Sequence, residues 1–196
     1  MIYTASITSA SLRLRESRIV ADLLLRGVGD SEWREAIFAQ NILQTRSPRS
    51  ARNLSSLLRA RLEPMGAELW GMVRDGGREL ATQAAFAGTV RDSRILGDFL
   101  DLALREQRVL FARHLGPHLW QDFIAGCRGR DPDMPQWSDA TVARLRSAVY
   151  SMLAEVGYLK DTRSLLLQNI FVDEQLASVL RERGETYVLR CMEVTE

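Results

Sequence analysis

Apolar residues recur along this chain three and four positions apart, with short polar breaks between the runs, which is the period of amphipathic helices. In a first helix over 17–25, Ile19, Val20, Leu23 and Leu24 fall on one side. Asp30 or Ser31 caps the next, whose stripe of Trp33, Ala36 and Ile37 runs on toward Leu43. Ser47 followed by Pro48 is a serine cap with proline at the first helical position; that helix runs to about 62 and stops before Pro64. Further helices are predicted over 67–73, 78–90, 93–111, 117–127 and 139–156. Gly76-Gly77, Asp92-Ser93, Gly116-Pro117 and Gly157 supply the breaks. The stretch 126–137, rich in Gly and Pro, reads as the longest loop.

The pattern changes near the C-terminus. Residues 165–172 read as a strand and 173–183 as a helix ended by Gly184. Over 186–194, Tyr187, Leu189 and Cys191 alternate with Val188, Arg190 and Met192, which reads as a second strand. The predicted class is therefore mainly α, a multi-helix bundle with a small C-terminal α/β element of two short strands. A soft boundary in 126–137 divides a helical lobe, 1–125, from a C-terminal lobe, 126–196. One continuous helical domain with a two-stranded appendage is the alternative.

Composition sharpens this picture in three places. With 46% apolar and 26% charged residues the chain is ordinary globular material. No apolar run approaches the ~20 residues of a membrane span, and the first residues lack the pattern of a signal peptide. Cys127 and Cys191, far apart, read as buried thiols and not as a disulfide framework. A cytoplasmic protein without membrane contact is expected. The formal net charge is only +1, so contact with a polyanion requires a local patch. Of the 26 basic residues 25 are Arg, Lys160 being the one Lys. Codon bias in a GC-rich genome accounts for such a skew; so does a preference for guanidinium forks, which bind phosphate bidentately.

Candidate chemistry is sparse. There is no Gly-rich phosphate loop with a following Lys, no GxGxxG, no CxxC and no HExxH. His114 and His118 are four apart, but Gly116-Pro117 breaks the helix that would pair them. Asp98 and Asp101 are helical neighbours that could hold Mg2+, yet Arg94 and Arg105 sit at the spacing that pairs with each instead. No catalytic residue, metal or cofactor is expected. Binding has more material. Arg46, Arg49, Arg52, Arg59 and Arg61 lie between Gln44 and Leu62 without one acid. Leu54, Leu57, Leu58 and Leu62 take one side of that helix, and Arg49, Arg52, Ser56 and Arg59 roughly the other. Its N-terminus could also offer backbone N–H groups to a phosphate. Arg13, Arg15 and Arg18 form a second basic cluster, and Arg128 and Arg130, beside glycines, a third.

Three segments carry a family resemblance. They are Thr8-Ser9-Ala10-Ser11-Leu12 with Glu16-Ser17-Arg18-Ile19-Val20-Ala21-Asp22-Leu23-Leu24; Gly126-Cys127-Arg128-Gly129-Arg130-Asp131-Pro132 with Met134-Pro135 and Trp137-Ser138; and Glu185-Thr186-Tyr187-Val188-Leu189-Arg190-Cys191. In order and spacing they resemble the BrxA family, the small helical component of BREX bacteriophage-exclusion systems, over nearly the whole chain. The resemblance implies a NusB-like helical fold and no enzyme activity. It implies nucleic-acid binding, chiefly to double-stranded DNA and alternatively to RNA, and association with other BREX proteins. It carries over no binding residue; the arginines above come from periodicity alone.

Overall fold

Helix starts in this chain are written in its capping residues. Ser47 Oγ accepts the Ser50 N–H (3.2 Å), Ser138 Oγ the Thr141 N–H (3.3 Å) and Asp173 Oδ1 the Gln175 N–H (2.9 Å), each satisfying an orphan donor of a first turn. The structure, a computed structural model, describes residues 3–7 and 11–194. Within them lie ten helices: α1 (Leu14–Leu25), α2 (Asp30–Arg34), α3 (Pro48–Leu62), α4 (Ala67–Asp75), α5 (Arg78–Asp92), α6 (Arg94–Asp98), α7 (Leu119–Arg130), α8 (Asp139–Val156), α9 (Glu174–Glu182) and α10 (Thr186–Met192). Helix α2 runs into a π-helical turn, Glu35–Ala39; α6 runs through another, Phe99–Leu104, into a last turn, Arg105–Val109. No described helix is long and apolar enough to cross a membrane.

The helices divide into two units. One is Leu12–Asp92, built around α5. Every residue from Ala81 to Val90 is buried, and α1, α3 and α4 pack on this helix. Small residues make that possible: a Cβ on Gly88 would stand 2.5 Å from the Arg61 carbonyl of α3. The second unit takes the described chain on either side of the first, so the 126–137 segment lies inside it. Its core is an aromatic cluster in which the Phe99 ring sits 5.3 Å from Trp120, 5.2 Å from Phe123 and 5.9 Å from Tyr150. Trp120 donates its indole N–H to the Val142 carbonyl, 3.1 Å, so the ring is buried without an orphan donor.

The mainly helical class holds, and its C-terminal detail needs correction. Thr186–Met192 is a helix, not a strand. Val188, Leu189, Cys191 and Met192 are all buried while Arg190 is exposed, which is a helical spacing that the alternation 187, 189, 191 imitates over so short a window. Residues 165–172 form no strand either. Leu166 bridges His114 and Leu167 bridges Leu159, one residue to each neighbour, and no ladder develops. The expected loop at 126 begins five residues later, because α7 continues through Gly126 and Gly129 to Arg130.

Candidate nucleic-acid interface

The basic face is built on the junction of α2 and α3. Asn41 and Gln44 take left-handed backbone conformations, φ 46° and 52°. Asparagine tolerates that region because its short amide can bond locally. Here the Asn41 Oδ1 accepts the Thr45 N–H (3.0 Å) and its Nδ2 donates to the Thr45 carbonyl (3.1 Å), closing the connection that leads into Ser47-Pro48. Arg46 stands on this connection, and Arg49 and Arg52 follow one turn apart on α3. All three are exposed, and among the described residues none has a carboxylate oxygen within 4 Å. The Arg52 guanidinium lies over the Phe38 ring, 5.9 Å from its centroid, and Phe38 is itself exposed.

One turn of helix changes the character of the face. Arg59 shares the side of Arg49 and Arg52, but its Nε and Nη2 donate to Glu63 Oε1 (3.1 and 2.9 Å). Asp30 lies 3.9 Å away, and the guanidinium stacks over Trp33 at 4.8 Å. The Glu63 hydrogen bond raises the Arg59 pKa further. Arg61, the fifth member of the acid-free set, turns inward and is 2% exposed. Burial raises the Asp92 pKa, and the nearby Arg61 charge opposes that shift. The helix N-terminus offers less than free backbone donors would. Pro48 has no N–H, and Ser47 takes the Ser50 N–H, so two of the first three positions are absent or satisfied.

The other predicted arginines divide the same way. Arg13 and Arg15 are exposed at the start of α1, with no carboxylate in reach among the described residues. Arg18 donates to the Arg74 carbonyl (2.7 Å) and the Gly76 carbonyl (2.8 Å), closing the C-terminal end of α4. Both arginines of the third cluster stand in the last turn of α7, not in a loop. Arg128 is exposed; Arg130 donates to the Tyr3 hydroxyl (3.1 Å) and reaches Cys127 Sγ (3.4 Å). Periodicity gave Trp33 to an apolar stripe and left out Phe38; neither was placed beside the arginines. The two aromatics stand five apart across the π-helical turn, a spacing that an ideal helix would not place beside one arginine face.

The carboxylates that could have served a metal are occupied by the protein. Asp98 is buried; it accepts the hydroxyls of Tyr3 (2.6 Å) and Tyr187 (2.8 Å) and the Arg94 Nε–H (2.8 Å). A Cβ on Gly97 would stand 2.3 Å from the Tyr187 hydroxyl, so only glycine leaves room for this bond. Asp101 pairs with Arg105 (3.4 Å), at the predicted spacing, and with Arg190 (2.7 Å). Burial, then the Asp98 hydrogen bond, pushes both Tyr3 and Tyr187 well above the ordinary phenol range. Cys127 and Cys191 are free, buried thiols; burial lifts Cys191 to about 11, so neither is poised as a thiolate at neutral pH.

The family model for BrxA matches residues 1–184. The "BREX protein BrxA" of Paramagnetospirillum magneticum is 48% identical over 98% of this chain and 97% of its own length. The protein of the same name from Escherichia coli O9:H4 is 27% identical over 97% of this chain and 90% of its own. A crystal structure titled as an uncharacterized protein from Magnetospirillum magneticum matches with a TM-score of 0.91 and 46% identity, covering 99% of this chain and all of that one. The chain belongs to the BrxA family of BREX proteins.

Proposed function

We propose that this chain is a non-enzymatic, nucleic-acid-binding component of a BREX phage-defence system, and that it binds double-stranded DNA with little sequence specificity. The observation that carries the reading is the trio Arg46, Arg49 and Arg52, exposed on and after an ordered connection, with no acid in reach among the described residues. Guanidinium forks of this kind bind phosphate oxygens and set position on a duplex without reading bases. Arg13 and Arg15 add charge; Arg59, already bonded to Glu63, contributes less. The test is a gel-shift titration at low salt with a duplex and a competing single-stranded RNA. Retention of the duplex, with RNA a poor competitor, is expected; no duplex binding sinks the reading, and preferential RNA binding replaces it with an RNA-binding one.

A second reading, an adaptor that holds other BREX proteins together, has one observation in its favour. Val109, Leu110 and Phe111 are left exposed in a row, Phe111 at 91%. Arg108 fixes the chain beside them, donating to Asn169 Oδ1 (2.8 Å) and to the Gln168 carbonyl. Changing Leu110 and Phe111 to Ser abolishes pull-down of BREX partners and spares DNA retention if the adaptor reading is right.

A further inference from the structure

The unit that flanks Leu12–Asp92 contains a cleft of about 500 Å3. Arg146, Ser147, Tyr150 and Ser151, on one face of α8, line one wall; Pro117 and Thr162 belong to the other. Among the described residues no carboxylate lines it, and Arg146 is the one formal charge. That side chain is exposed, and among the described residues no carboxylate oxygen lies within 4 Å of it.

Tyr150 is the second, independent signal. Its ring is held against Trp120 at 6.1 Å and the residue is only 7% exposed, yet among the described residues its hydroxyl has no hydrogen-bond partner. The ring is in the core, but the hydroxyl is not sealed from solvent; it belongs to the lining of the cleft. Burial pushes its pKa up to about 12, so at neutral pH the group is a protonated donor that no described protein group accepts. Ser147 and Ser151 have spent their hydrogens on the Ala143 carbonyl (3.0 Å) and Glu155 Oε1 (3.4 Å), which leaves their oxygens as acceptors.

Donors and acceptors thus suit two parts of one ligand. Arg146 and Tyr150, near enough for the Arg146 charge to act on the phenol, and Thr162 carry donors that suit an oxyanion; the serine oxygens carry acceptors that suit sugar hydroxyls. The cavity volume falls in the ~300–1,000 Å3 range of small-molecule pockets; a lone oxyanion would leave most of it empty. We propose that this cleft binds a phosphorylated small molecule of nucleotide size, with the phosphate held by Arg146 and the Tyr150 hydroxyl. The site is independent of the duplex-binding arginines, and its failure would leave that reading untouched.

The experiment is calorimetric titration of the full chain with each of the four common ribonucleoside monophosphates, with the matching nucleosides and inorganic phosphate as separate arms. At least one monophosphate binds saturably, and its nucleoside and inorganic phosphate bind at least about tenfold more weakly. Arg146→Gln, on an exposed position, lowers that affinity by about 10- to 100-fold, the worth of a charged hydrogen bond. Tyr150→Phe keeps the ring in the core and lowers affinity several-fold. No saturable binding of any monophosphate below about 1 mM overturns the proposal. So does equal binding of inorganic phosphate, or unchanged affinity in Arg146→Gln.

Discussion

On the outer face of α3 and the connection that leads into it, Arg46, Arg49 and Arg52 stand in water with no carboxylate in reach among the described residues. Around Asp98 the same side chain is used in the opposite way: Arg94 and Arg130 converge with Tyr3 and Tyr187 on one buried carboxylate or its partners. The second arrangement holds structure. Its Tyr3 hydroxyl and N–H tie the N-terminal segment to α6 and, through Asp131, to the end of α7. The first contributes little to stability and, under the proposed function, leaves its charge for phosphate. Counting arginines cannot separate the two; the position of the nearest acid does.

The largest effect comes from breaking the buried side of this comparison. Asp98→Ala strands two phenols and a guanidinium and costs about 3–5 kcal/mol, measured by denaturant unfolding. Hydrogen exchange then shows protection lost in α6 and α10 ahead of α5. A loss under about 1 kcal/mol would mean that the cluster is incidental. Breaking the exposed side has the converse signature. The triple change of Arg46, Arg49 and Arg52 to Ala lowers duplex affinity about 100-fold at low salt and moves unfolding free energy by no more than ~0.5 kcal/mol, as for surface sites. Equal duplex affinity in the triple variant removes α3 from the interface.

Two smaller changes sharpen the boundary between the classes. Gly88→Ala forces apart α3 and α5, because the added carbon meets the Arg61 carbonyl at 2.5 Å. It costs about 1–3 kcal/mol in unfolding experiments, and duplex affinity follows only as far as α3 shifts. Arg59→Ala changes duplex affinity less than about threefold, since Glu63 already occupies that guanidinium. A loss as large as that of Arg52→Ala in a gel shift would show that the pair opens on binding.

What the sequence made legible is what local rules control. Ser47-Pro48 marked a helix start, the helices beginning near 139 and 173 were placed within a residue, and Arg94–Asp98 and Asp101–Arg105 follow from spacing along one helix. The exposure of Arg49 and Arg52 followed from the leucine side of α3 in the same manner. Legibility stopped where partners come from afar. Nothing near Arg18 announces that it closes α4, fifty-six residues on, nor anything near Arg130 that it meets Tyr3. Arg61 counted in the acid-free run of arginines and lies buried beside α5, a position decided by the small residues that let the two helices touch. At α10, seven residues were too few to tell period 2 from period 3.6.

Under the proposed function, the arginines of α3 and its leading connection that have no carboxylate in reach among the described residues bind phosphate. The most direct measurement is the salt dependence of duplex affinity, for the unaltered chain and for the triple variant of Arg46, Arg49 and Arg52. Each neutralised phosphate contributes a slope of about −0.9 in log K against log salt. A steep negative slope is expected, shallower by about 2–3 in the variant. A slope near zero in the unaltered chain, or the same slope in both, contradicts this reading.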